Sequence, residues 1–215
     1  MAHRMKSFGL ALIVVLVVAA TTASAAEALN WTATNGKYAT NVTGGQTVVF
    51  EFKAGPITVT CKVLEFSAKL AAKEDPLKVL NPKFEKCKAE GGLGAKFTTN
   101  ECELFFTAAG ELKIECFFLS SLEIDIFKSE KEAEEPGKTP VCGILTGPQG
   151  PLKGITWTNE GVGNATQVKG AFAVKPTYVT AGDQTVCGKN GTGEILGTTT
   201  LTGKFSGVAE GVDIG

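Results

Sequence analysis

Histidine and arginine are almost missing from this sequence. The single histidine is His3 and the single arginine is Arg4, and both lie in an N-terminal stretch that has the composition of an export signal. A mature chain without that stretch cannot contain a Ser-His-Asp or Cys-His catalytic unit, a histidine metal ligand, or the guanidinium fork that binds phosphates and carboxylates. We therefore expect a non-catalytic protein that needs no cofactor and no metal ion.

Long hydrophobic runs are equally scarce. The one prominent run, from Phe8 to Ala20, is shorter than the roughly 20 residues that a membrane-spanning helix needs. It follows a basic start and precedes small residues at positions 23–25, which is the pattern of a cleaved signal peptide. The sequence predicts a signal peptide over residues 1–25. It also predicts a secreted or cell-surface protein that does not contact the membrane after cleavage.

Basic charge is not concentrated anywhere in the chain. Without Arg4 and Lys6, 19 lysines remain against 22 acidic residues, which gives a net charge of −3. A nucleic-acid-binding protein needs a clustered basic face, and these lysines are scattered among glutamates. We expect no nucleic-acid partner; the partners that fit are a cell-envelope glycan or another surface protein.

Cysteine, in contrast, is plentiful for an exported chain. No C-x-x-C pair of the kind found in zinc sites occurs, and the number of cysteines is even, so up to three disulfides are expected. Spacing alone leaves their connectivity open. The six disulfide candidates are Cys61, Cys87, Cys102, Cys116, Cys142 and Cys187.

Short runs with period-two alternation, separated by glycine and proline, dominate the chain beyond the signal. They are rich in Thr, Val, Ile and Phe and number about ten, which is typical of a β-sandwich. We predict an all-β, disulfide-braced β-sandwich of about ten strands in a single domain over residues 46–215. An N-terminal segment, 26–45, precedes it, and a charged surface loop interrupts it at 129–140.

One hairpin can be predicted in register. A turn centred on Ala109 pairs residues whose numbers sum to 218. One face then carries Cys102, Leu104, Phe106, Leu112, Ile114 and Cys116, with Phe118 beyond them, and we expect this face to point inward. In that register Cys102 lies opposite Cys116, so the two cysteines either bond to each other or each reach the facing sheet.

Few residues are candidates for binding or chemistry. Trp31, Trp157 and Tyr178 are the aromatics able to stack on a sugar, although alternation places Trp157 beside Ile155 on a core face. Glu103 and Glu115 are the carboxylate pair that a glycan-active enzyme would need, although they alternate with Lys113 as on a solvated face. The alternatives to a structural role are therefore a carbohydrate-binding module, a glycan-active enzyme, and an inhibitor or adhesin with one rigid loop closed by a disulfide.

Several short segments resemble a family of uncharacterised secreted proteins of actinobacteria. They are Ile-Thr-Val-Thr-Cys61, Phe-Glu-Lys-Cys87-Lys-Ala, Thr-Thr-Asn-Glu-Cys102, Ile-Glu-Cys116, Gly-Ile-Thr-Trp157-Thr-Asn-Glu-Gly and Gly-Thr-Thr-Thr-Leu-Thr-Gly203. The resemblance implies export and β structure, and it carries over no activity. Two positions depart from the pattern: Glu101 precedes Cys102 where glycine is expected, and Phe117 follows Cys116 where proline is usual.

Overall fold

The computed structural model describes residues 29–33, 40–70, 73–162, 166–206 and 208–214. The predicted signal peptide, 1–25, lies outside the described residues. The fold is all-β, as the sequence predicts. Its strands are β1 (Trp31–Ala33), β2 (Thr40–Ala54), β3 (Ile57–Leu70), β4 (Lys73–Glu74), β5 (Leu77–Ala89), β6 (Leu93–Thr98), β7 (Cys102–Phe106), β8 (Glu111–Cys116), β9 (Leu122–Phe127), β10 (Cys142–Thr146), β11 (Gln149–Lys153), β12 (Ile155–Glu160), β13 (Gln167–Val174), β14 (Thr177–Gly182), β15 (Gly191–Thr192), β16 (Glu194–Phe205), β17 (Val208–Glu210) and β18 (Val212–Ile214).

The helical content of the described residues is small. A 3-10 turn, Glu90–Gly92, joins β5 to β6, and the short helices are α1 (Glu130–Glu134) and α2 (Gln184–Cys187). Helix α1 lies inside the predicted charged loop, where the Ser129 hydroxyl accepts a hydrogen bond from the Glu132 amide at 3.3 Å and so caps its first turn. No helix among the described residues has the length and hydrophobicity needed to cross a membrane.

The number of strands is larger than the sequence predicts. The described residues form eighteen strands rather than about ten. The segment from Ala95 to Ala108, for example, reads as one strand, but a turn at 99–102 separates it into β6 and β7. That turn contains neither glycine nor proline, and Asn100 is the one residue in it that favours a turn.

Fifteen strands form one antiparallel sheet with the central order β12-β13-β16-β2-β3-β5-β6-β9-β10-β14-β15, from which β7, β8, β11 and β17 branch. The other three strands form a small sheet in the order β18-β1-β4. Trp31 on β1 pairs with Ile214, and β2 runs beside β16 from its first residues, so the segment before residue 46 contributes strands to both sheets.

The large sheet folds over on itself, which gives the sandwich-like arrangement. Inward side chains from β2, β3, β13 and β16 face those from β7, β8 and β9 around a cavity of about 40 Å³. The aromatic rings there interlock: the Phe106 centroid lies 5.7 Å from that of Phe66 and 5.6 Å from that of Phe172. Apolar burial between these two layers is the main source of stability in a fold of this kind.

All six cysteines are paired, which confirms the expectation of three disulfides. Cys61–Cys87 joins β3 to β5, Cys102–Cys116 joins β7 to β8, and Cys142–Cys187 joins β10 to α2. The first two bonds connect residues that lie directly opposite each other in paired strands. The third closes the longest loop, with a sequence separation of 45 residues.

Candidate functional site

The candidate site lies at one end of the hairpin formed by β7 and β8. The register of this hairpin is the predicted one: Cys102 lies opposite Cys116, and Phe106 lies opposite Leu112. The two cysteines, whose pairing the sequence leaves open, are bonded directly to each other. Their disulfide ties the strands together at the end opposite the connecting turn. The chain enters and leaves the hairpin there through two further turns.

The first of these turns, Thr99–Cys102, carries two consecutive residues with positive φ. The Cys102 amide donates a hydrogen bond to the Thr99 carbonyl at 2.8 Å, and φ is 43° at Asn100 and 61° at Glu101. Two positive φ values characterise the hairpin turn that favours Asn-Gly. Glutamate in the second position is strained relative to glycine, and this is the position where the resemblance leads us to expect glycine.

The second turn, Phe117–Ser120, follows the disulfide on the other strand. The Ser120 amide donates to the Phe117 carbonyl at 3.0 Å, and Phe118 has a φ of 51°. A large aromatic residue in the left-handed region is rare, and strain of this kind is of order 1–3 kcal/mol per residue. Such backbone strain concentrates at functional sites, because the fold alone gives no reason to keep it.

Three consecutive hydrophobic side chains project from the second turn. Phe117 is 61%, Phe118 96% and Leu119 102% exposed, and we call these three residues the apolar tip. The prediction that Phe118 faces inward was wrong. Strand β8 ends at Cys116, so residues beyond it leave the sheet and the alternation no longer assigns them to its faces.

A groove of about 530 Å³ lies beside the apolar tip, and we call it the side groove. One wall comes from β5 and the other from the Thr99–Cys102 turn and the hairpin. Phe117 belongs to both the tip and the groove, so the projection and the depression adjoin each other. The residues that line the groove are Lys78, Val79, Leu80, Pro82, Thr99, Glu101, Cys102, Glu103 and Phe117.

The charged side chains around this end are mostly paired. Lys78 lies 2.7 Å from the Glu103 carboxylate, and Lys113 forms an ion pair with Glu115. Glu103 lies opposite Glu115, as predicted, on the outward face of the hairpin. Both carboxylates are partly exposed and paired with lysines, whereas the carboxyls of a glycan-active enzyme face each other across the scissile bond of a bound sugar.

A second group of carboxylates lies on the neighbouring strand β9. The Asn100 amide donates to the Glu123 carboxylate at 2.9 Å, which connects the first turn to this strand. Burial raises the pKa of the Asp125 carboxyl, and the negative charge of Glu123 raises it further, while Lys96 on β6 acts in the opposite direction. In the described part of the chain, no three His, Cys, Asp or Glu side chains are arranged to hold a metal ion.

The three aromatics predicted as stacking candidates do not form an exposed row. Trp31 is fully buried and Tyr178 is buried, while Trp157 is partly buried. The Trp31 indole nitrogen donates to the Phe106 carbonyl at 3.0 Å and that of Trp157 to the Thr107 carbonyl at 2.9 Å. Their ring centroids are 4.9 Å apart, edge to face. The two tryptophans therefore cover the turn that connects β7 to β8, because each finds there both apolar contact and an acceptor for its N–H.

The apolar tip is the feature that the sequence reading missed. Its signal is present in the sequence: strict alternation along β8 requires polar residues at 117 and 119, and the chain has Phe-Phe-Leu at 117–119 instead. Three consecutive hydrophobic residues just after a disulfide-bonded strand end indicate a projecting apolar loop as readily as a continued strand.

The fold and this site together define an all-β protein with three disulfides and a braced, exposed apolar tip. No family model matches the chain, and no curated protein or solved structure is significantly similar to it. The resemblance to secreted actinobacterial proteins therefore stays a prediction.

Proposed function

We propose that this chain is an exported, non-catalytic protein that works by binding another protein through its apolar tip. The observation that carries the proposal is the exposure of Phe117, Phe118 and Leu119 on a strained turn next to a disulfide. Exposed aromatic residues on a rigid support are typical of contact surfaces between proteins, because large apolar area is presented with little entropy left to lose.

Export is supported by the redox state of the cysteines. Three disulfides and no free thiol among the described cysteines are compatible with an oxidising compartment outside the cytoplasm. The signal-like composition of residues 1–25 agrees with this location. The non-catalytic role is supported by the absence of histidine and arginine beyond Arg4, and by the ion-paired, partly exposed state of Glu103 and Glu115.

Binding through the tip also explains why strain is tolerated there. The disulfide and the two turn hydrogen bonds hold Phe118 in a conformation that a free loop would abandon. A preorganised tip loses less conformational entropy on association. The entropic cost of ordering the loop therefore offsets less of the favourable free energy of contact. The structural alternative, a surface protein without a partner, gives no reason for this arrangement.

The proposal is tested by site-specific photo-cross-linking in cells that export the protein. A photoreactive phenylalanine analogue replaces Phe118, or Val208 as a control on an exposed residue of β17. We expect a protein adduct identified by mass spectrometry at position 118 and none at 208. The proposal fails if position 118 gives no protein adduct above the control.

A further inference from the structure

The apolar tip and the side groove lie next to each other on the same face, because Phe117 is part of both. A contact with two-fold symmetry uses the same patch on both copies, so this patch must be complementary to itself. A projection beside a depression meets this condition. We propose that the chain forms a symmetric homodimer in which the apolar tip of each copy lies in the side groove of the other. This inference rests on the proposed function and names a second copy of the chain as the partner.

The lining of the groove provides apolar contact beside polar and charged side chains. Its floor includes Val79, which is buried, and its walls include Leu80 and Pro82, which are partly exposed. The groove volume, about 530 Å³, accommodates two large hydrophobic side chains. Phe118 and Leu119, the two most exposed hydrophobic residues of the described chain, are the side chains that would enter it.

The area available is sufficient for a dimer. A buried aromatic side chain removes about 150–250 Å² from solvent, so one tip supplies roughly 400 Å². Two tips and the two groove surfaces that they cover then bury roughly 1,200–1,600 Å², which is the size of a specific protein interface. Interfaces of that size have dissociation constants from micromolar to picomolar, because affinity depends on packing and preorganisation rather than on area.

The charges around the tip favour a second copy over a lipid surface. Loops that insert into phospholipid membranes usually carry free lysine or arginine beside their apolar residues. Here Lys78 and Lys113 are already paired with Glu103 and Glu115, and Glu101 adds an exposed negative charge beside the tip. The phosphates of a lipid surface would therefore meet a negative charge and two already paired lysines at this end of the hairpin.

Sedimentation velocity of the exported protein, from about 1 to about 200 µM, tests the proposal. We expect a reversible change from one copy to two copies and no larger species. The tip variant Phe118→Asn with Leu119→Ser should stay monomeric, with affinity reduced at least about tenfold. Asparagine tolerates positive φ, so the turn is preserved. The control Val208→Ser, which removes another exposed apolar side chain, should dimerise like the wild type.

The variant Leu80→Glu tests whether the side groove is the part of the second copy that receives the tip. This variant keeps an intact tip but places a carboxylate where the apolar tip must fit, so it should also be monomeric. Thermal unfolding of each variant establishes that the fold is retained. Flotation with phosphatidylcholine vesicles provides the comparison with a lipid surface, and the exported protein should not bind them.

Four results would overturn the homodimer: a monomer at all concentrations, dimerisation that the tip variant retains, open-ended assembly, or tip-dependent binding to vesicles. The failure of this inference can be distinguished from failure of the proposed function. If the protein is monomeric but position 118 cross-links to a different protein in exporting cells, the homodimer is wrong and the binding role of the tip remains. If neither contact is found, both are wrong.

Discussion

The two ends of the β7–β8 hairpin differ in how they meet the rest of the molecule. At one end, which we call the covered end, the turn Thr107–Gly110 packs against the rest of the protein: Ala108 and Gly110 are buried, Ala109 is exposed, and Trp31 and Trp157 donate to backbone carbonyls there. At the other end, which we call the tip end, Phe118 and Leu119 are almost fully exposed. One end of the hairpin is therefore packed against the protein, and the other projects into solvent.

The backbone polar groups of the covered end are bonded within the chain. The Ala108 amide donates to the Asp75 carboxylate at 2.8 Å, and the Ile155 amide donates to the Gly110 carbonyl at 3.0 Å. Gly110 has a φ of 84°, which glycine adopts without strain. The residue types at this end are those that the local geometry favours.

At the tip end, residue type and geometry disagree. Glu101 and Phe118 occupy positive φ values that favour glycine, and large hydrophobic side chains face solvent. Natural sequences follow local preferences except where function requires otherwise. On the proposed function, the covered end serves folding and the tip end serves contact with another protein.

The largest expected difference comes from the same substitution made at both ends. Phe106 is buried and packs against Phe66, Trp157 and Phe172, so Phe106→Ala should reduce the free energy of unfolding by about 3–5 kcal/mol. Phe118→Ala removes an exposed ring and should change it by no more than about 0.5 kcal/mol. Denaturant unfolding at low protein concentration measures both. Similar losses at the two ends would mean that the tip belongs to the folded core.

The disulfide at the tip end should contribute the next largest effect. Replacing both Cys102 and Cys116 with alanine should reduce the free energy of unfolding by about 2–4 kcal/mol, chiefly because the unfolded chain is no longer constrained. The variant should also lose dimer affinity, since the support of the tip is weakened. Unchanged self-association in a destabilised variant would show that the disulfide serves stability alone.

This hairpin also shows how far the sequence can be read. The turn centred on Ala109 predicted the register of the two strands, and the alternation of Cys102, Leu104 and Phe106 with Leu112 and Ile114 assigned these side chains to one face. The register alone did not predict the direct Cys102–Cys116 bond, since a cysteine on the core face is also able to reach the opposite sheet. The tip was missed because the turn at 117–120 contains no glycine or proline.

The two tryptophans beside the hairpin also show which contacts the sequence predicts and which it does not. Trp157 was expected beside Ile155 on a core face, and its ring does contact Trp31, Phe106 and Phe172. Trp31 also lies in the core. Its position depends on the pairing of β1 with β18, which brings together residues 183 positions apart. Such long-range pairings are set by tertiary packing and leave no local pattern in the sequence.

Adding a side chain to the turn at the covered end and removing one from the turn at the tip end should change the free energy of unfolding in opposite directions. Both changes should be smaller than those above. A Cβ on Gly110 would lie 2.1 Å from the Ile155 carbonyl oxygen, so Gly110→Ala should reduce the free energy of unfolding by about 1–3 kcal/mol. Glu101→Gly should raise it by up to about 1 kcal/mol, because strain is relieved. Equilibrium unfolding of the two variants measures both signs. A loss of stability in Glu101→Gly would show that this turn is not strained.

The smallest predicted effect is a pH dependence that arises from Asp125. Burial and Glu123 raise its pKa in the folded protein above the ordinary value of 3.8, so the folded state binds the proton more tightly than the unfolded state. Stability is therefore lost as the pH rises from about 4 through the raised pKa, and the ionised carboxylate is unfavourable at neutral pH.

Asp125→Asn removes this penalty. Because solvent screens a partly exposed group, the gain in unfolding free energy at pH 7 should be only about 0.5 kcal/mol, and it should shrink below about pH 4. Thermal unfolding of the two proteins between these pH values gives the comparison. If the stability difference between Asp125→Asn and the wild type increased as the pH fell, the pKa of Asp125 would not be raised in the folded protein.

Amide hydrogen exchange of the purified protein, measured at about 2 and about 200 µM, tests most directly whether the tip end serves contact between proteins. We predict that peptides covering Thr99–Glu103 and Phe117–Ser121 exchange more slowly at the higher concentration, because each tip becomes covered by a second copy. Peptides from the covered end, Thr107–Gly110, should exchange at the same rate at both concentrations. Equal behaviour of the two ends, or no concentration dependence at the tip end, would contradict the account.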